Sequence, residues 1–439
     1  MCDVKDMTNK VTKIGLLGFG TVGREVFRIL EEQKEYFARK MEYAIEVKSI
    51  CVKDMSKDRG IAKKYFTTDY ESIAKDPEID IVIELMGDCP EALEAMQLAL
   101  KNKNSVVTAN KAIMARHAKE LFELAYANGA EILFEASVAG AIPVLRSIRE
   151  GLSANQIQSL YGIINGTANY ILTKMTQEGA DYEAVLKEAQ EKGYAEADPT
   201  ADVMGHDAAY KLSILAMLCH GKIVSVDDVF CRGIHYIKPV DIQMAEKFGY
   251  VIKLLGITKI NGEHFEARVH PTMINKANPL AHVDGAYNAI EYKCNYAGDG
   301  MLYGLGAGGA PTAAAVVSDV IELVHSIRSE NKINLQPSGF LSQSLVPAKP
   351  IDIQDLKSRY YIRFSVTDKP NVLSRMTTIL GKNNISVQHL YQHGADEDQT
   401  IPLIIFTHDT LERDIRQALR EIDKMDFITQ TTKIIRIEE

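Results

Sequence analysis

An apolar run, Val11–Leu17 (VTKIGLL), passes without a break into Gly18-Phe19-Gly20-Thr21-Val22-Gly23. A helical pattern follows from Arg24 to about Glu35, and a second apolar run covers Ala44–Val52. Strand, GxGxxG turn, helix and strand in this order constrain the fold more than any other stretch of the chain. The first glycine allows a tight turn and the second lets a pyrophosphate approach the backbone. The third permits close helix–strand packing, and the helix N-terminus attracts phosphate charge. The motif alone is weak, but in this context it points to dinucleotide binding. The second strand ends in Val52-Lys53-Asp54. An acid there favours the free 2′-hydroxyl of NAD, and a cation accommodates the 2′-phosphate of NADP. Both stand side by side, so the residues leave that choice open.

The same rhythm continues. Ile79–Leu85 is a strand ending in Met86-Gly87-Asp88, and Pro90–Lys101 a helix. Ser105–Ala109 is a strand ending in Asn110-Lys111, Lys111 opens another helix, and Glu131–Glu135 is again a strand. Such alternation argues a parallel, doubly wound sheet with ligands at the carboxyl ends of its strands. Lys111 sits at one such end and is a functional candidate. The chain has 439 residues, enough for two or three domains. Its net charge of −9 argues against a nucleic-acid partner. Six scattered cysteines without a CxxC pair read as reduced thiols. The polar start MCDVKDMTNK lacks a signal core, and no run of about 18 apolar residues suggests a membrane span. A cytoplasmic protein with no membrane partner is expected.

Beyond Ala136 the parallel order is lost. Pro143–Glu150 reads as a helix and Leu160–Ile164 as a strand. The strand runs into a polar knot, Asn165 to Tyr170, with a helix at Ile171–Gln177. Asp181–Lys192 is a further helix, with Gly193 as its C-terminal cap. Gly193–Lys211 (GYAEADPTADVMGHDAAYK) then carries four carboxylates, Glu196, Asp198, Asp202 and Asp207, and closes on Lys211. Such a run is ordinarily a solvated loop. Here Asp207 and Lys211 are four apart at the mouth of an apolar helical pattern, which puts them on one helix face. Residues 265–306 read as strands of a second, α+β domain. The glycine-rich turn Gly304–Thr312 precedes a helix at Thr312–Arg328, whose N-terminus could face a cofactor or be a plain connector. After a proline-bearing linker, six elements in about 80 residues follow the βαββαβ order of a ferredoxin-like domain. His389 and His393 share a face there, but lacking acidic or thiolate neighbours they read as solvated.

Taken together, the chain resembles homoserine dehydrogenase in its long form, with a C-terminal ACT regulatory domain. The resemblance rests on GFGTVG at 18–23, ELMG at 84–87, TANK at 108–111, EASVAGAIPVLR at 135–146, NGTANYIL at 165–172, the whole 193–211 stretch and GAGGAPTA at 306–313. It implies an α/β fold in several parts: a Rossmann-type dinucleotide-binding domain over 1–135 and an α+β catalytic and dimerisation domain over 136–310. A helix over 311–330 returns to the first domain, a linker covers 331–357 and an ACT domain 358–439. The implied reaction is reversible NAD(P)H-dependent reduction of L-aspartate 4-semialdehyde to L-homoserine, on the way to threonine and methionine.

By resemblance, Lys211 exchanges a proton with the substrate oxygen, Asp207 holds its ammonium, and Lys111 is a second cation near the carbonyl and nicotinamide. Glu196 binds the substrate amino group, and Asp202, Asn165, Gly166, Thr167 and Tyr194 line the pocket. Gly18, Phe19, Gly20, Thr21, Val22, Gly23, Lys53, Met86, Gly87, Lys111 and Gly308 are expected on the cofactor. Lys53 stands where relatives often have arginine, which favours NADP(H) over NAD(H). A monovalent cation, Na+, is implied at the Glu135 carboxylate and the carbonyls of Val138, Gly140 and Ile142. A homodimer or homotetramer with threonine as allosteric ligand at ACT–ACT interfaces completes the expectation; removing 358–439 should then leave catalysis largely intact. Asn371 stands where many relatives have glycine, in a turn that needs positive φ. Two other readings compete: a thioester-forming aspartate-semialdehyde dehydrogenase using Cys89, and a non-enzymatic amino-acid sensor.

Overall fold

The structure is a computed structural model that describes residues 11–41, 43–329, 336–392 and 400–438. The chain divides into two compact units. The first takes the chain up to Leu160, Tyr210–Asp228 and Asn288–Ala348; the second takes Tyr161–Ala209, Val229–Tyr287 and the chain from Lys349 on.

The first unit is built on six parallel strands: β1 (Val11–Leu17), β2 (Ala44–Cys51), β3 (Phe66–Thr67), β4 (Ile81–Glu84), β5 (Ser105–Thr108) and β6 (Ile132–Leu133). Their order is β3-β2-β1-β4-β5-β6. The order reverses between β1 and β4, the place where doubly wound sheets bind ligands. β4 and β5 are buried along their whole length, which is why they read as unbroken apolar runs. The first helix, Thr21–Glu32, starts earlier than its apolar spacing suggested, because it begins directly on the glycine turn. A separate helix, Lys34–Met41, takes up the rest of that pattern.

Helix Gly309–Arg328 belongs to this unit. Ala313, Val316, Val317, Val320, Leu323 and Val324 join the core that holds Ile14, Leu16 and Val26. By length and composition it could cross a membrane, which the sequence reading had not registered for any stretch. Its apolar side chains are spent on the core, and it carries the buried Asp319. Length and apolarity alone do not separate a core helix from a membrane span.

The second unit holds a long antiparallel pair, β7 (Tyr250–Asn261) and β8 (His264–Asn275). β7 had not been recognised from the sequence. Ile252–Thr258 is buried without interruption, so the alternation that marks a one-sided strand is missing. The helix Pro239–Lys247 before it was also missed. Helix Gly166–Glu178 begins inside the polar knot and not at Ile171.

The C-terminal part follows βαββαβ: β9 (Lys357–Thr367), helix Val372–Lys382, β10 (Val387–Gln392), β11 (Thr400–Thr407), helix Glu412–Ile422 and β12 (Ile428–Glu438). Asn371 has φ of 69°, so the turn before the first helix is made by a residue that tolerates the left-handed region. His389 is exposed and packs its ring on Phe248 at 5.2 Å; His393 lies outside the described residues. The module is not detached. β12 pairs in parallel with β8, with Thr272 opposite Arg436, so these six strands of a larger sheet run in the order β7-β8-β12-β9-β11-β10.

Candidate active site

At the β1 turn, Gly18 has φ of +99°, and a Cβ there would lie 2.3 Å from the Leu85 carbonyl oxygen. A Cβ on Gly23 would lie 2.3 Å from the Gly18 carbonyl oxygen, so the helix seats directly on the turn. Around Gly20 nothing lies within 4 Å, leaving open space at the position expected to face the pyrophosphate. Helix Thr21–Glu32 has no side-chain cap. Neither has helix Gly309–Arg328, whose N-cap is Gly308 with φ of 118°. The two N-termini are neighbours: a Cβ on Gly309 would lie 2.9 Å from Thr21 Cγ2. Two uncapped N-termini concentrate unpaired N–H groups and positive potential in one place.

The far end of the nucleotide turn is held by a carboxylate that the motif reading quoted but gave no role. Glu84 is fully buried at the end of β4. Its Oε1 accepts from Met86 N at 2.7 Å, and its Oε2 from the Thr108 hydroxyl at 2.6 Å. Thr108 Oγ1 in turn accepts from Asn110 N, and Asn110 Nδ2 donates to the Gly87 carbonyl at 2.9 Å. Asn110 Oδ1 caps the helix that Lys111 opens, accepting from Ile113 N. One acid therefore fixes Met86, Gly87 and the base of Lys111. Burial pushes its pKa up, against the lowering by these hydrogen bonds. The signal available from sequence was an acid closing an all-apolar strand. A Glu84→Ala substitution leaves the Met86 N–H and the Thr108 hydroxyl without their acceptor. It should cost about 2–4 kcal/mol in thermal unfolding and raise the KM for coenzyme; an unchanged melting temperature and KM would refute this role.

Glu135, Val138, Gly140 and Ile142 lie together on one turn of the first unit. Glu135 starts a short 3₁₀ helix, and Ala139 and Gly140 both have positive φ (57° and 52°). A Cβ on Gly140 would lie 2.7 Å from the Gly306 carbonyl, so this turn is pressed onto the glycine-rich segment. The Glu135 carboxylate accepts from Leu145 N at 2.9 Å and from Arg146 N at 2.8 Å. The Ile142 carbonyl accepts from Val144 N at 2.7 Å. The Glu135 N–H donates to Asp319 Oδ2 at 2.8 Å, and Arg146 reaches Asp319 Oδ1 at 3.2 Å. Burial pushes the pKa of Glu135 up, and burial with the nearby Glu135 charge pushes that of Asp319 well up.

In the second unit Asn165 caps helix Gly166–Glu178, its Oδ1 accepting from Ala168 N at 2.8 Å. Its Nδ2 donates to Asp202 Oδ1 at 2.7 Å and to Asp207 Oδ2 at 2.9 Å. The side-chain amide thus spends its donors on drawing two carboxylates together. Gly166 is tight against the second unit's own backbone, since a Cβ would lie 2.8 Å from the Ala286 carbonyl oxygen. Thr167 donates to the Tyr194 carbonyl at 2.7 Å, and the Tyr170 and Tyr194 rings stack at 4.5 Å. The Gly193–Lys211 stretch is thereby anchored at both ends, with Glu196 exposed between them. Asp198 Oδ1 accepts from Thr200 N at 3.1 Å, two residues on, a turn-forming role just before the short helix Thr200–Val203. Helix His206–His220 carries Asp207, which is buried, and one turn later Lys211, which is half-buried.

The surroundings of Cys89 do not favour the thioester reading. Burial pushes its thiol pKa up, away from the thiolate that thioester chemistry requires.

Profiles of known families cover most of the chain. The profile described as "Homoserine dehydrogenase, NAD binding domain" matches residues 18–135, "Homoserine dehydrogenase" 143–321 and "ACT domain" 360–427. The homoserine dehydrogenase of Synechocystis is 44% identical over 97% of this chain and 99% of its own. A solved homoserine dehydrogenase from Thiobacillus denitrificans superposes with a TM-score of 0.91, is 38% identical and covers 98% of this chain and 99% of its own. A hyperthermophilic archaeal homoserine dehydrogenase in complex with NADPH superposes with a TM-score of 0.62, is 26% identical and covers 73% of this chain and 99% of its own.

Proposed function

The chain belongs to the homoserine dehydrogenase family, and from that premise we propose how its own residues divide the work. It is an NAD(P)-dependent oxidoreductase with an ACT domain, not a sensor that has lost its chemistry. The reaction interconverts L-aspartate 4-semialdehyde and L-homoserine. Hydride arrival at the aldehyde carbon builds negative charge on its oxygen, and ammonium donors stabilise that charge most where water is excluded. Lys211 is assigned the proton transfer to that oxygen, and Lys111 the second cation. Asp207, tethered through Asn165 to Asp202, orients the Lys211 turn. Glu196 is assigned to the substrate ammonium. Tyr194 and the Gly166–Thr167 backbone complete the wall. The observation that carries this reading is the pair of carboxylates that Asn165 pins, one of which, Asp207, stands one turn before Lys211 on helix His206–His220.

The coenzyme is NADP(H) in preference to NAD(H). Asp54 already accepts from Ser56 N at 2.8 Å and from the Ser56 hydroxyl at 2.6 Å. These bonds make it a turn residue and pull its pKa down. Lys53 is exposed at the same strand end. An acid committed to its own turn is poorly placed for a ribose hydroxyl, whereas the ammonium suits a phosphate. The NADPH complex of the archaeal relative is in line with this. Lys53→Ala should raise the KM for NADPH about tenfold and leave that for NADH nearly unchanged, the loss expected of one charged hydrogen bond. Equal effects on both coenzymes would contradict the assignment.

A monovalent cation fits the Glu135–Ile142 turn. The buried Glu135 carboxylate stands on the same turn as the backbone carbonyls of Val138, Gly140 and Ile142, neutral oxygens of the kind hard cations prefer. Its part is structural, to hold that turn. The ACT domain supports regulation by an amino acid, threonine being the first candidate, and the enzyme is assigned as a homodimer or homotetramer. Initial rates of homoserine oxidation with NAD and NADP, each with and without threonine, test the whole reading. No oxidation with either coenzyme would overturn it.

A further inference from the structure

One face of helix Gly166–Glu178 is polar where a core-facing helix is ordinarily apolar. Asn169, Thr173 and Gln177, spaced four apart, all meet the segment Val283–Tyr287 of the same unit. Asn169 is 1% exposed, and its Nδ2 lies 3.0 Å from the Val283 and Gly285 carbonyls and 3.2 Å from that of Tyr287. Thr173 Oγ1 accepts from Gly285 N at 3.1 Å, and Gln177 Nε2 donates to Asp284 Oδ2 at 3.3 Å. The segment is also held from β7 by Lys253, the one charged residue in the buried run Ile252–Thr258. Its ammonium donates to the Val283 carbonyl at 2.5 Å and to Asp284 Oδ1 at 3.2 Å. Lysine is almost never so buried unless paired, and the acid it meets has its side chain 55% exposed. Burial lowers the ammonium pKa, and Asp284 opposes that. A methionine would fill the same space with no charge to desolvate, so packing does not account for a lysine at this position.

Position does. Apolar contact is non-directional and lets a helix slide along its axis; hydrogen bonds, which need a set distance and angle, do not. The start of helix Gly166–Glu178 is where a slip matters. Gly166 itself rests on the held segment, since a Cβ there would lie 2.8 Å from the Ala286 carbonyl oxygen. Asn165, just before it, holds Asp202 at 2.7 Å and Asp207 at 2.9 Å, and Thr167 holds the Tyr194 carbonyl at 2.7 Å. A slip of about 0.5 Å takes such bonds out of their normal range. We propose that Lys253 and Asn169 are positioning residues for the substrate. They do not touch it. Through Val283–Tyr287 they set the axial position of the helix, and with it the alignment of Asn165, Gly166 and Thr167. The consequence for substrate affinity rests on the pocket wall proposed above for Gly166 and Thr167; the grip on the helix does not.

The test is steady-state kinetics on the full-length enzyme, with kcat and the KM values for homoserine and coenzyme read separately. Lys253→Met keeps the stem, leaves Asp284 in contact with water and leaves the Val283 carbonyl bonded to Asn169. It should therefore fold and melt close to the wild type. It should raise the KM for homoserine about tenfold, a displaced wall losing the equivalent of one charged hydrogen bond. The KM for coenzyme and kcat should stay nearly unchanged. Asn169→Leu should act in the same direction, with circular dichroism as the check on folding; should it unfold, Lys253→Met decides alone. Lys259→Met is the control. It removes a cation from the same strand, one paired with Glu438 at 2.7 Å, and should leave both KM values unchanged. A merely structural role would reduce the amount of active enzyme, and so the apparent kcat, at constant KM. An unchanged KM for homoserine in Lys253→Met, an equal rise for coenzyme, or an equal rise in Lys259→Met would each overturn the proposal. Glu196→Gln separates this role from the substrate reading. If it raises the KM for homoserine while Lys253→Met does not, only the positioning role falls; if neither does, both fall.

Discussion

Lys211→Met is expected to lower kcat for homoserine oxidation by about 10²–10⁴-fold, the range for loss of a positioned proton-transfer group. KM should move little, because an interaction made mainly in the transition state is being removed. Methionine keeps the length and apolar character of the stem, so the melting temperature should hold. Asp207→Asn is the companion. The Asn165 amide can still donate to an amide oxygen at that position, leaving the local scaffold in place. Any fall in its kcat then reports the lost charge. Steady-state rates with saturating coenzyme decide the matter: a Lys211→Met protein with wild-type kcat would end the assignment.

Arg363→Met should unfold the second unit at a melting temperature lower by about 10 °C. Asp241 is 1% exposed. It accepts from Arg363 Nε at 2.6 Å and from the Tyr361 hydroxyl at 2.7 Å. Removing the guanidinium leaves a buried carboxylate without its counter-charge, which costs about 3–5 kcal/mol, and in a unit of this size each kcal/mol shifts the midpoint by about 2–4 °C. The double variant Arg363→Met/Asp241→Leu, which removes both charges, should recover much of the loss. A melting curve for Arg363→Met that overlays the wild type would refute the account.

Glu438 makes a second tie of the same kind, at 2.6 Å from Arg268 and 2.7 Å from Lys259. Burial would push its carboxyl up, but Arg268 and Lys259 override that and hold it at about 2. Because this folded-state value is depressed, the stabilisation is full above the unfolded carboxyl pKa of about 4.3 and is lost as the pH falls toward 2. These ties argue against the expectation that the ACT domain can be cut away at little cost to catalysis. A chain stopped before β9 would lose the partners of Asp241, Arg268 and Lys259 and leave the β8 edge open to other strands. Aggregation is the expected result, not a deregulated enzyme.

The nucleotide half was the more legible in the residues. Its parallel strands are buried on both faces and read as apolar runs, and its glycines stand where the backbone comes within 2.3 Å of a hypothetical Cβ. β7 escaped notice because burial on both faces in an antiparallel pair erases the alternation that would have marked it. Helix Pro239–Lys247 escaped because its pattern is short. At the candidate site, spacing alone put Asp207 and Lys211 on one helix face, and the role proposed for Glu196 came from the family resemblance. The part played by Asn165 was not legible. Joining Asp202 to Asp207 through one amide depends on two segments about 40 residues apart meeting in space.

The four carboxylates and closing lysine of Gly193–Lys211, the glycine turn and the βαββαβ tail are local patterns, set by spacing and by backbone sterics. They were sufficient for the fold class and for dinucleotide binding, and the reaction followed from the family resemblance those motifs carry. Three features were out of their reach: the second uncapped helix N-terminus beside the first, the buried Glu84 brace, and the pairing of β12 with β8. Each depends on distant segments packed side by side. There burial, not sequence spacing, determines which charges must be paired and which backbone groups are left open to a ligand.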